Sequence, residues 1–349
     1  MTPPPNLPIS PSPHPLRVAL TGATGFLGGA LARRLLAEGH AVRALLRPSA
    51  ARDGLPDGIE WISGDLDDTA ALRELVDGAD EIVHAAGMLG AFGVSEETYR
   101  RVNAEGTRHV LAATAEALAG GRLGPDARVL HVGSAGVPGP IRGRAEGFLF
   151  DETMPPAPSN AYERSKALAE SYAREFALAG LPLVIARPEF VYGPGDRHVL
   201  GLFGAVQRGM FFYIGSGHNH CHPTYVDDAV DGMLACLRRG RPGQVYQIAG
   251  PRSVSFRELA GTIAAALDAP PPRLRVPRFA AALGAAGLEA VGDLTGRAVP
   301  LSRTGVAFFS EDRRFSIAKA RRELDYQPHV DLEEGIRRTV AWYRAEGLL

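Results

Sequence analysis

The chain has 349 residues, of which 45% are hydrophobic and 22% are charged, and its formal net charge is −1. This length allows about two domains with a substantial core, and the near-neutral charge excludes the strongly basic surfaces that bind nucleic acid or anionic lipid. The two cysteines, Cys221 and Cys236, provide no disulfide framework. We therefore expect a small-molecule ligand and a reducing, cytoplasmic setting.

The chain begins with a proline-rich segment, MTPPPNLPISPSPHP, that has neither a basic nor an apolar stretch. This composition predicts a disordered leader over residues 1–15 rather than a signal peptide. No later run approaches the roughly 18–20 apolar residues that a membrane helix needs. The nearest, residues 279–292, contains Glu289 and favours a buried or amphipathic helix over a membrane contact. No integral membrane span is expected.

From residue 16 onward, short aliphatic strands alternate with helical stretches. The first strand, LRVALTG, ends in a glycine, and the following GFLGGALARRLLAEGH predicts a helix that stops at Gly39. Further strands are predicted at residues 41–47, 59–66, 80–87, 128–134 and 181–188. This order predicts an α/β fold with a doubly wound parallel sheet, the Rossmann arrangement, whose ligand lies beyond the carboxyl ends of the strands.

The regular alternation ends at Pro188. An apolar stretch at 199–215 and a proline-rich segment at 269–277 follow, and residues 332–347 predict an amphipathic helix. We therefore predict a dinucleotide-binding domain over residues 16–188. The remainder, residues 189–349, is predicted to be a smaller, mainly substrate-binding region that returns some elements to the Rossmann domain.

A glycine-rich loop, GATGFLG, connects the first strand to the first helix. Glycines at its first, fourth and seventh positions let the backbone turn tightly and approach a pyrophosphate, while the helix N-terminus offers free N–H groups. Its position after a strand is what makes this triplet informative in a glycine-rich chain. We assign cofactor binding to Gly22, Thr24, Gly25, Phe26, Leu27 and Gly28.

The end of the second predicted strand indicates which dinucleotide binds. An acidic residue there would hydrogen-bond the ribose of NAD, but this chain has Arg47 and Ser49. An arginine accommodates the 2′-phosphate of NADP. An ordinary surface arginine is the alternative. We expect NADP to be preferred, with NAD possible as a cofactor.

With these features, the sequence resembles the extended short-chain dehydrogenase/reductase superfamily from about residue 16 to about residue 345. The superfamily contains sugar-nucleotide epimerases, dihydroflavonol reductases and 3β-hydroxysteroid dehydrogenases, and it implies a homodimer here. Its motifs occur in the family's order: TGATGFLG, GDL, HAAG, VNAEGT, GSAGV, YERSK, RPEFVYGPGD and YVDDAVDG. Composition alone would not produce this order.

The resemblance implies further cofactor contacts at the strand ends. Asp65 would bind the adenine amino group with Leu66 beside the ring, and further contacts would come from Ala85, Ala86, Gly87, Pro188 and Val191. Structural alternatives stay open for several of them. Small residues at 85–87 also suit close strand–helix packing, and Asp65 could cap a helix. For Asp227 and Asp228 we favour a helix N-terminal cap.

The spacing of Tyr162 and Lys166 is by itself compatible with an exposed helix turn, because residues four apart share one helix face. The resemblance implies instead that Tyr162 is the acid/base, that Lys166 binds the nicotinamide ribose and that Ser134 holds the substrate oxygen. A phenol titrates at about pH 10. Nearby positive charge from Lys166 and a cationic nicotinamide must therefore favour its phenolate near neutrality.

Asn103 matches the family asparagine that kinks its helix and supports a water-linked proton path to the lysine. A cap or a solvent-facing asparagine is the alternative. A separate cluster of His218, His220, Cys221 and His222 could place imidazoles on one face of an extended segment. Because no nearby carboxylate or second cysteine completes this set, we expect no metal.

The substrate is less well defined. Nucleotide-sugar enzymes of the superfamily carry an arginine where this chain has Cys221, and dehydratases carry an Asp-Glu pair where it has Ala135 and Gly136. The stretches at 87–94, 147–150 and 202–215 predict apolar walls. We expect an NADP-dependent oxidoreductase for a bulky apolar alcohol or ketone, closest to bacterial 3β-hydroxysteroid dehydrogenase-like members. The alternatives are a nucleotide-sugar epimerase or dehydratase that retains NAD, and a non-catalytic nucleotide-binding regulator.

Overall fold

The computed structural model describes residues 14–50, 55–90, 93–143, 147–295, 299 and 301–349. Residues 1–13 of the predicted leader lie outside the described residues. The strands of the main sheet are β1 (Arg17–Thr21), β2 (Ala41–Leu46), β3 (Ile59–Ser63), β4 (Glu81–His84), β5 (Arg128–Val132), β6 (Leu183–Pro188) and β11 (Val245–Ile248). Short paired strands are β7 (Val191–Tyr192), β8 (Tyr213–Ile214), β9 (His220–Cys221), β10 (Thr224–Tyr225), β12 (Val254–Ser255) and β13 (Arg275–Val276).

The helices of the first part of the chain, up to β6, are α1 (Phe26–Ala37), α2 (Thr69–Val76), α3 (Glu96–Tyr99), α4 (Gly106–Ala119) and α5 (Ala161–Leu178), with a π-helical turn at Arg100–Glu105. Those of the second part are α6 (Leu200–Gln207), α7 (Val226–Arg239), α8 (Phe256–Ala266), α9 (Arg278–Thr295), α10 (Arg303–Ser310), α11 (Ala318–Leu324) and α12 (Leu332–Ala345). None of the described helices is long and apolar enough to cross a membrane.

The main sheet has seven strands in the order β11-β6-β5-β4-β1-β2-β3. Every neighbouring pair is parallel, so the carboxyl ends of all seven strands meet at one edge. The chain order reverses between β1 and β4, which creates the switch point where ligands bind in open α/β sheets. The predicted doubly wound parallel sheet is confirmed.

Apolar side chains alternate to the two faces of the sheet and form two cores. One lies under α1, α7 and α11 and includes Leu20, Leu31 and Met233. The other lies under α2, α4 and α5 and includes Ile82, Leu111 and Leu183. Because parallel strands are buried on both faces, their sequences are almost continuously apolar, which is why the sequence predicted the first six.

The seventh strand, β11, comes from the second part of the chain and pairs with β6 from Val245↔Ile185 to Ile248↔Pro188. The sequence analysis did not assign a strand to these residues. Helix α7 also comes from the second part and packs on the sheet beside α1. Residues 189–349 therefore do contribute to the Rossmann layers, although the boundary at Pro188 stays a prediction.

The helices α6, α8, α10 and α12 form a second layer, here called the cap, around Phe203, Phe256 and Ile336. Phe26 and Leu27, in the first turn of α1, pack against the cap. This contact sets the cap beside the carboxyl edge of the sheet, where the glycine-rich loop lies.

Two sequence predictions in the second part need correction. Asp228 lies within α7 but does not cap it; it is buried, and its carboxylate accepts the N–H groups of His329 and Val330 at 3.1 Å each. Residues 279–292 do form a helix, α9, yet it buries small residues such as Ala285 and leaves Phe279 71% exposed. Its exposed face is more apolar than an amphipathic helix would predict.

Candidate active site

The glycine-rich loop forms a close backbone cradle at the end of β1. Gly22 has a φ of +85°, and a Cβ there would lie 2.6 Å from the Ala86 nitrogen. A Cβ at Gly28 would lie 2.7 Å from the Gly22 carbonyl carbon. Only glycine fits at these two positions. Gly25, the N-cap of α1, makes no side-chain cap, so the positive end of the helix stays available for a phosphate group.

The other predicted cofactor residues lie after the neighbouring strands. Arg47 follows β2 and is exposed. Pro188 is the last residue of β6, and Val191 is the first residue of β7. Ala85, Ala86 and Gly87 follow β4 beside the cradle. The structure therefore brings residues from four separate stretches of the sequence to a single edge of the sheet.

Asp65 and Leu66 follow β3. The Asp65 carboxylate accepts the Asp67 N–H at 2.9 Å, and Asp68, rather than Asp65, caps α2 through the N–H groups of Ala70 and Ala71. The alternative reading of Asp65 as a helix cap is therefore wrong. Leu66 packs against Gly106 of α4, where a Cβ would lie 2.7 Å from its side chain.

Tyr162 and Lys166 lie in the first two turns of α5, whose N-cap Asn160 accepts the Glu163 N–H at 2.9 Å. Lys166 is buried, and its Nζ donates to the Val132 carbonyl at 2.8 Å. Ser134 follows β5, its Oγ accepts the Gly136 N–H at 3.1 Å, and its hydroxyl lies close enough to the Tyr162 phenol to lower the pKa of that phenol. The two side chains predicted to act on one substrate oxygen are thus neighbours.

Asn103 lies in the π-helical turn, where it is buried and not exposed to solvent. Its Oδ1 accepts the Met88 N–H at 2.7 Å, and its Nδ2 donates to the Met88 carbonyl at 3.0 Å and to the Ser165 hydroxyl at 2.9 Å. A Cβ at Gly87 would lie 3.2 Å from Asn103 Oδ1 and 3.8 Å from Lys166 Nζ. The irregular turn therefore places Asn103 beside Lys166. The alternative interpretations of Asn103 as a helix cap or as a solvent-facing residue are wrong.

Burial changes the protonation of both reactive side chains. It lowers the pKa of Lys166 to about 8, because an ammonium loses hydration there. It raises the pKa of Tyr162; the Ser134 hydrogen bond opposes the rise, and Glu189 and Glu163 reinforce it. The sequence argument required positive charge to favour the phenolate. The protein side chains instead favour the neutral phenol, which is a proton donor.

A buried ionic cluster lies next to this centre, and the sequence analysis missed it. Glu163 Oε1 accepts from Arg313 Nη2 at 2.6 Å, and both side chains are less than 10% exposed. Arg313 also contacts Glu311 at 3.4 Å. Glu189, the residue after β6, is buried nearby, and burial raises its pKa to about 7. The only signal was that Glu163 and Glu189 fall inside two family motifs; Arg313 gave none.

The histidine-rich segment forms separate contacts. His220 bonds Asp312 at 3.1 Å, His222 Nε2 bonds the Gly250 carbonyl at 3.0 Å, and the Cys221 thiol donates to the Val254 carbonyl at 3.8 Å. Over the part of the chain that the structure describes, no group of three or more potential ligands is arranged to hold a metal ion. These side chains join β9 to its neighbours.

The predicted apolar walls differ in their positions. Gly90 lies against Tyr162, since a Cβ there would be 3.8 Å from the tyrosine Cβ. Phe150 packs with Phe315 and with Ala135, the residue that follows Ser134 in the chain. By contrast, Phe203, within the third predicted wall, is buried inside the cap. Residues 91–92, within the first predicted wall, lie outside the described residues.

Comparison with known proteins identifies the class. Residues 18–249 match the NAD dependent epimerase/dehydratase family, and the chain belongs to this family. It is 30% identical over 342 residues to 2-alkyl-3-oxoalkanoate reductase of Stenotrophomonas maltophilia (strain K279a), covering 93% of this chain and 99% of that protein. It is 29% identical over 348 residues to a decarboxylating sterol-4-alpha-carboxylate 3-dehydrogenase of Schizosaccharomyces pombe, covering 95% and 99%.

Among solved structures, dTDP-glucose 4,6-dehydratase DesIV of Streptomyces venezuelae, with NAD and TYD bound, superposes with a TM-score of 0.74 at 25% identity. The superposition covers 96% of this chain and 100% of that one. The predicted superfamily and the NAD(P)-dependent oxidoreductase class are confirmed. The preference for NADP, the roles of individual residues and a homodimer stay predictions.

Proposed function

We propose that this protein is an NADP-dependent oxidoreductase that interconverts a ketone and a secondary alcohol on a bulky apolar substrate. The observation that carries the proposal is the grouping of Ser134, Tyr162, Lys166 and Asn103 at the same sheet edge as the glycine cradle. Relatives named as a 2-alkyl-3-oxoalkanoate reductase and a sterol-4-alpha-carboxylate dehydrogenase support a lipophilic carbonyl or alcohol substrate.

The glycine cradle fits a dinucleotide pyrophosphate, because a side chain at Gly22 or Gly28 would fill the space that the cradle leaves. Arg47 would hold the 2′-phosphate, and Asp65 and Leu66 the adenine. When bound, the nicotinamide accepts or supplies a hydride. Lys166 would bind the nicotinamide ribose near Ala85, Ala86 and Gly87, and Pro188 and Val191 would flank it.

Ser134 would hold the substrate oxygen, and Tyr162 would donate its phenolic proton to that oxygen as the carbonyl carbon gains a hydride. In the opposite direction, the phenolate takes the alcohol proton. The raised pKa of Tyr162 supports proton donation near neutral pH, hence ketone reduction. Asn103, which bonds the Ser165 hydroxyl and the backbone of Met88, would support the return of protons towards Lys166.

The test is NADPH oxidation at 340 nm with long-chain 3-oxo compounds, sterol ketones and nucleotide sugars. We expect turnover only of the apolar ketones, with added NADPH required and little cofactor retained on purification. Cys221 in place of the pyrophosphate-binding arginine supports this ranking. Co-purified NAD together with conversion of a UDP- or dTDP-sugar would establish the epimerase alternative. Homodimer formation and a cytoplasmic location stay part of the proposal and are testable by light scattering and fractionation.

A further inference from the structure

Glu189 follows β6 at the same edge of the sheet as Ser134 and Tyr162, and its charge acts on the Tyr162 phenol. Its backbone is held from two sides: its N–H donates to the Ile248 carbonyl at 3.0 Å, and its carbonyl accepts the Thr224 hydroxyl at 2.6 Å. The preceding carbonyl, of Pro188, accepts the Ala135 N–H at 3.3 Å. That bond ties the end of β6 to the turn that carries Ser134, so Glu189 and the substrate-binding hydroxyl lie on neighbouring strand ends.

The backbone after Glu189 is strained in a way that fixes this position. Phe190 has a φ of +32°, a conformation that non-glycine residues rarely adopt. Strain of this kind persists where the surrounding structure holds it, commonly at functional sites. It turns the chain sharply between β6 and β7, directly beside the predicted nicotinamide contacts Pro188 and Val191.

The Glu189 side chain is only 6% exposed, and no hydrogen bond or ion pair of its carboxylate is found among the described residues. Arg313, the cation whose charge acts on Glu189, uses Nη2 for Glu163 and Glu311, and no described ion pair joins it to Glu189. The Nε of Arg313 is buried and is also without a partner. Buried polar groups are normally paired, so an unpaired guanidinium nitrogen close to the Glu189 carboxyl calls for an explanation.

We propose that Glu189, supported by the positive charge of Arg313, binds a second oxygen of the substrate close to the reacting carbonyl, as in a 3-oxo acid or 3-oxo ester. This inference rests on the proposed function and specifies its substrate class. A protonated carboxyl donates one hydrogen bond, and the guanidinium favours negative charge nearby. Both groups therefore favour an acceptor oxygen over a hydroxyl or a purely apolar group.

The titration of Glu189 agrees with this assignment. Burial, reinforced by Glu163 and opposed by Arg313, keeps the carboxyl protonated up to a pKa of about 7. The other titratable groups that act with it are Tyr162 on α5 and the Cys221 thiol on β9, both of which have raised pKa values and stay neutral. Glu189 is therefore the group in this set that changes charge near neutral pH.

The test compares a 3-oxo ester with a plain ketone of the same chain length and reports the ratio of their kcat/KM values. We expect a ratio of at least tenfold in favour of the ester at pH 6, falling as the pH rises through about 7. Glu189→Leu should reduce the ratio at least tenfold, mainly through KM. Glu175→Gln, at an exposed position on α5, is the control and should leave the ratio unchanged.

Glu189→Gln keeps an N–H donor and cannot titrate, so its ratio should be high and independent of pH between 6 and 8. This variant decides the matter if Glu189→Leu does not fold. A wild-type ratio that does not change with pH, or equal losses on both substrates in Glu189→Leu, would overturn the inference. Turnover of neither ketone would refute the proposed function itself, whereas turnover without the preference refutes only the role of Glu189.

Discussion

The cofactor half of the site and the substrate half are built from different parts of the polypeptide. Up to β6 the site consists largely of backbone: the cradle at Gly22 and Gly28, the open N-terminus of α1 and the small residues after β4. Beyond β6 it consists of long, buried charged side chains such as Glu189 and Arg313, of which Arg313 forms an ion pair with Glu163. Backbone geometry suits a ligand part common to all reactions of the family, and side chains can distinguish substrates.

Tyr162 lies where the two halves meet, and its removal should have the largest effect. Tyr162→Phe keeps the ring packing on Tyr99, at 6.2 Å between centroids, but removes the proton donor. We expect kcat to fall by several orders of magnitude with NADPH binding preserved, measured at 340 nm and by fluorescence titration. Activity above about one tenth of wild type, a loss under about 1.4 kcal/mol, would require another acid.

The ion pair between Glu163 and Arg313 tests whether the substrate half depends on buried charge. Arg313→Met leaves Glu163 without its cation in the interior, and breaking a buried pair in this way costs about 3–5 kcal/mol. The double variant Glu163→Gln/Arg313→Met should recover part of that loss. The free energies of unfolding of both variants are measured by urea unfolding.

The exposed pair Arg73–Glu116, at 3.0 Å with both side chains about half exposed, is the matched control. Arg73→Met should cost less than about 1 kcal/mol, because solvent screens a surface pair. Equal losses for Arg73→Met and Arg313→Met would show that the buried pair contributes nothing special to the substrate half.

The sequence predicted the structural elements of the cofactor half well because their signals are local. Six strands, the glycine loop and the α5 pair each occupy a few consecutive residues, and their order along the chain is the order of the motifs. The structure of the substrate half depends on contacts between distant residues: Glu163 and Arg313 are 150 positions apart, and β11 pairs with a strand some 60 residues earlier. No spacing rule connects such residues.

The errors have the same origin. Asp228 was interpreted as a cap because it starts a helix, but its carboxylate binds the backbone 101 and 102 positions later. The stretch 202–215 was interpreted as a substrate wall because it is apolar, yet its residue Phe203 is buried against Tyr343 of α12. In both cases a local pattern was correct and its long-range partner was missing.

The pH dependence of stability offers a smaller effect in the substrate half. Burial raises the pKa of Glu189 from 4.5 to about 7, so the folded state binds more protons than the unfolded state between these values. The free energy of unfolding should therefore decrease as the pH rises through this window, by up to about 3 kcal/mol. Thermal melts of Glu189→Gln should show a shallower decrease between pH 5 and 8. A steeper or unchanged decrease would contradict the assignment.

Arg47 provides the corresponding test in the cofactor half, where we expect the smallest effect because the side chain is exposed and solvent screens its charge. Wild-type protein should bind NADPH more tightly than NADH. In Arg47→Asp a carboxylate would repel the 2′-phosphate and accept a hydrogen bond from the ribose hydroxyl of NADH. We expect the preference to disappear or reverse, a change of about tenfold or about 1.4 kcal/mol, measured by fluorescence titration with both cofactors. Arg73→Met should leave both affinities unchanged. If wild-type protein bound the two cofactors equally well, Arg47 would be an ordinary surface arginine, and the backbone cradle alone would bind the dinucleotide.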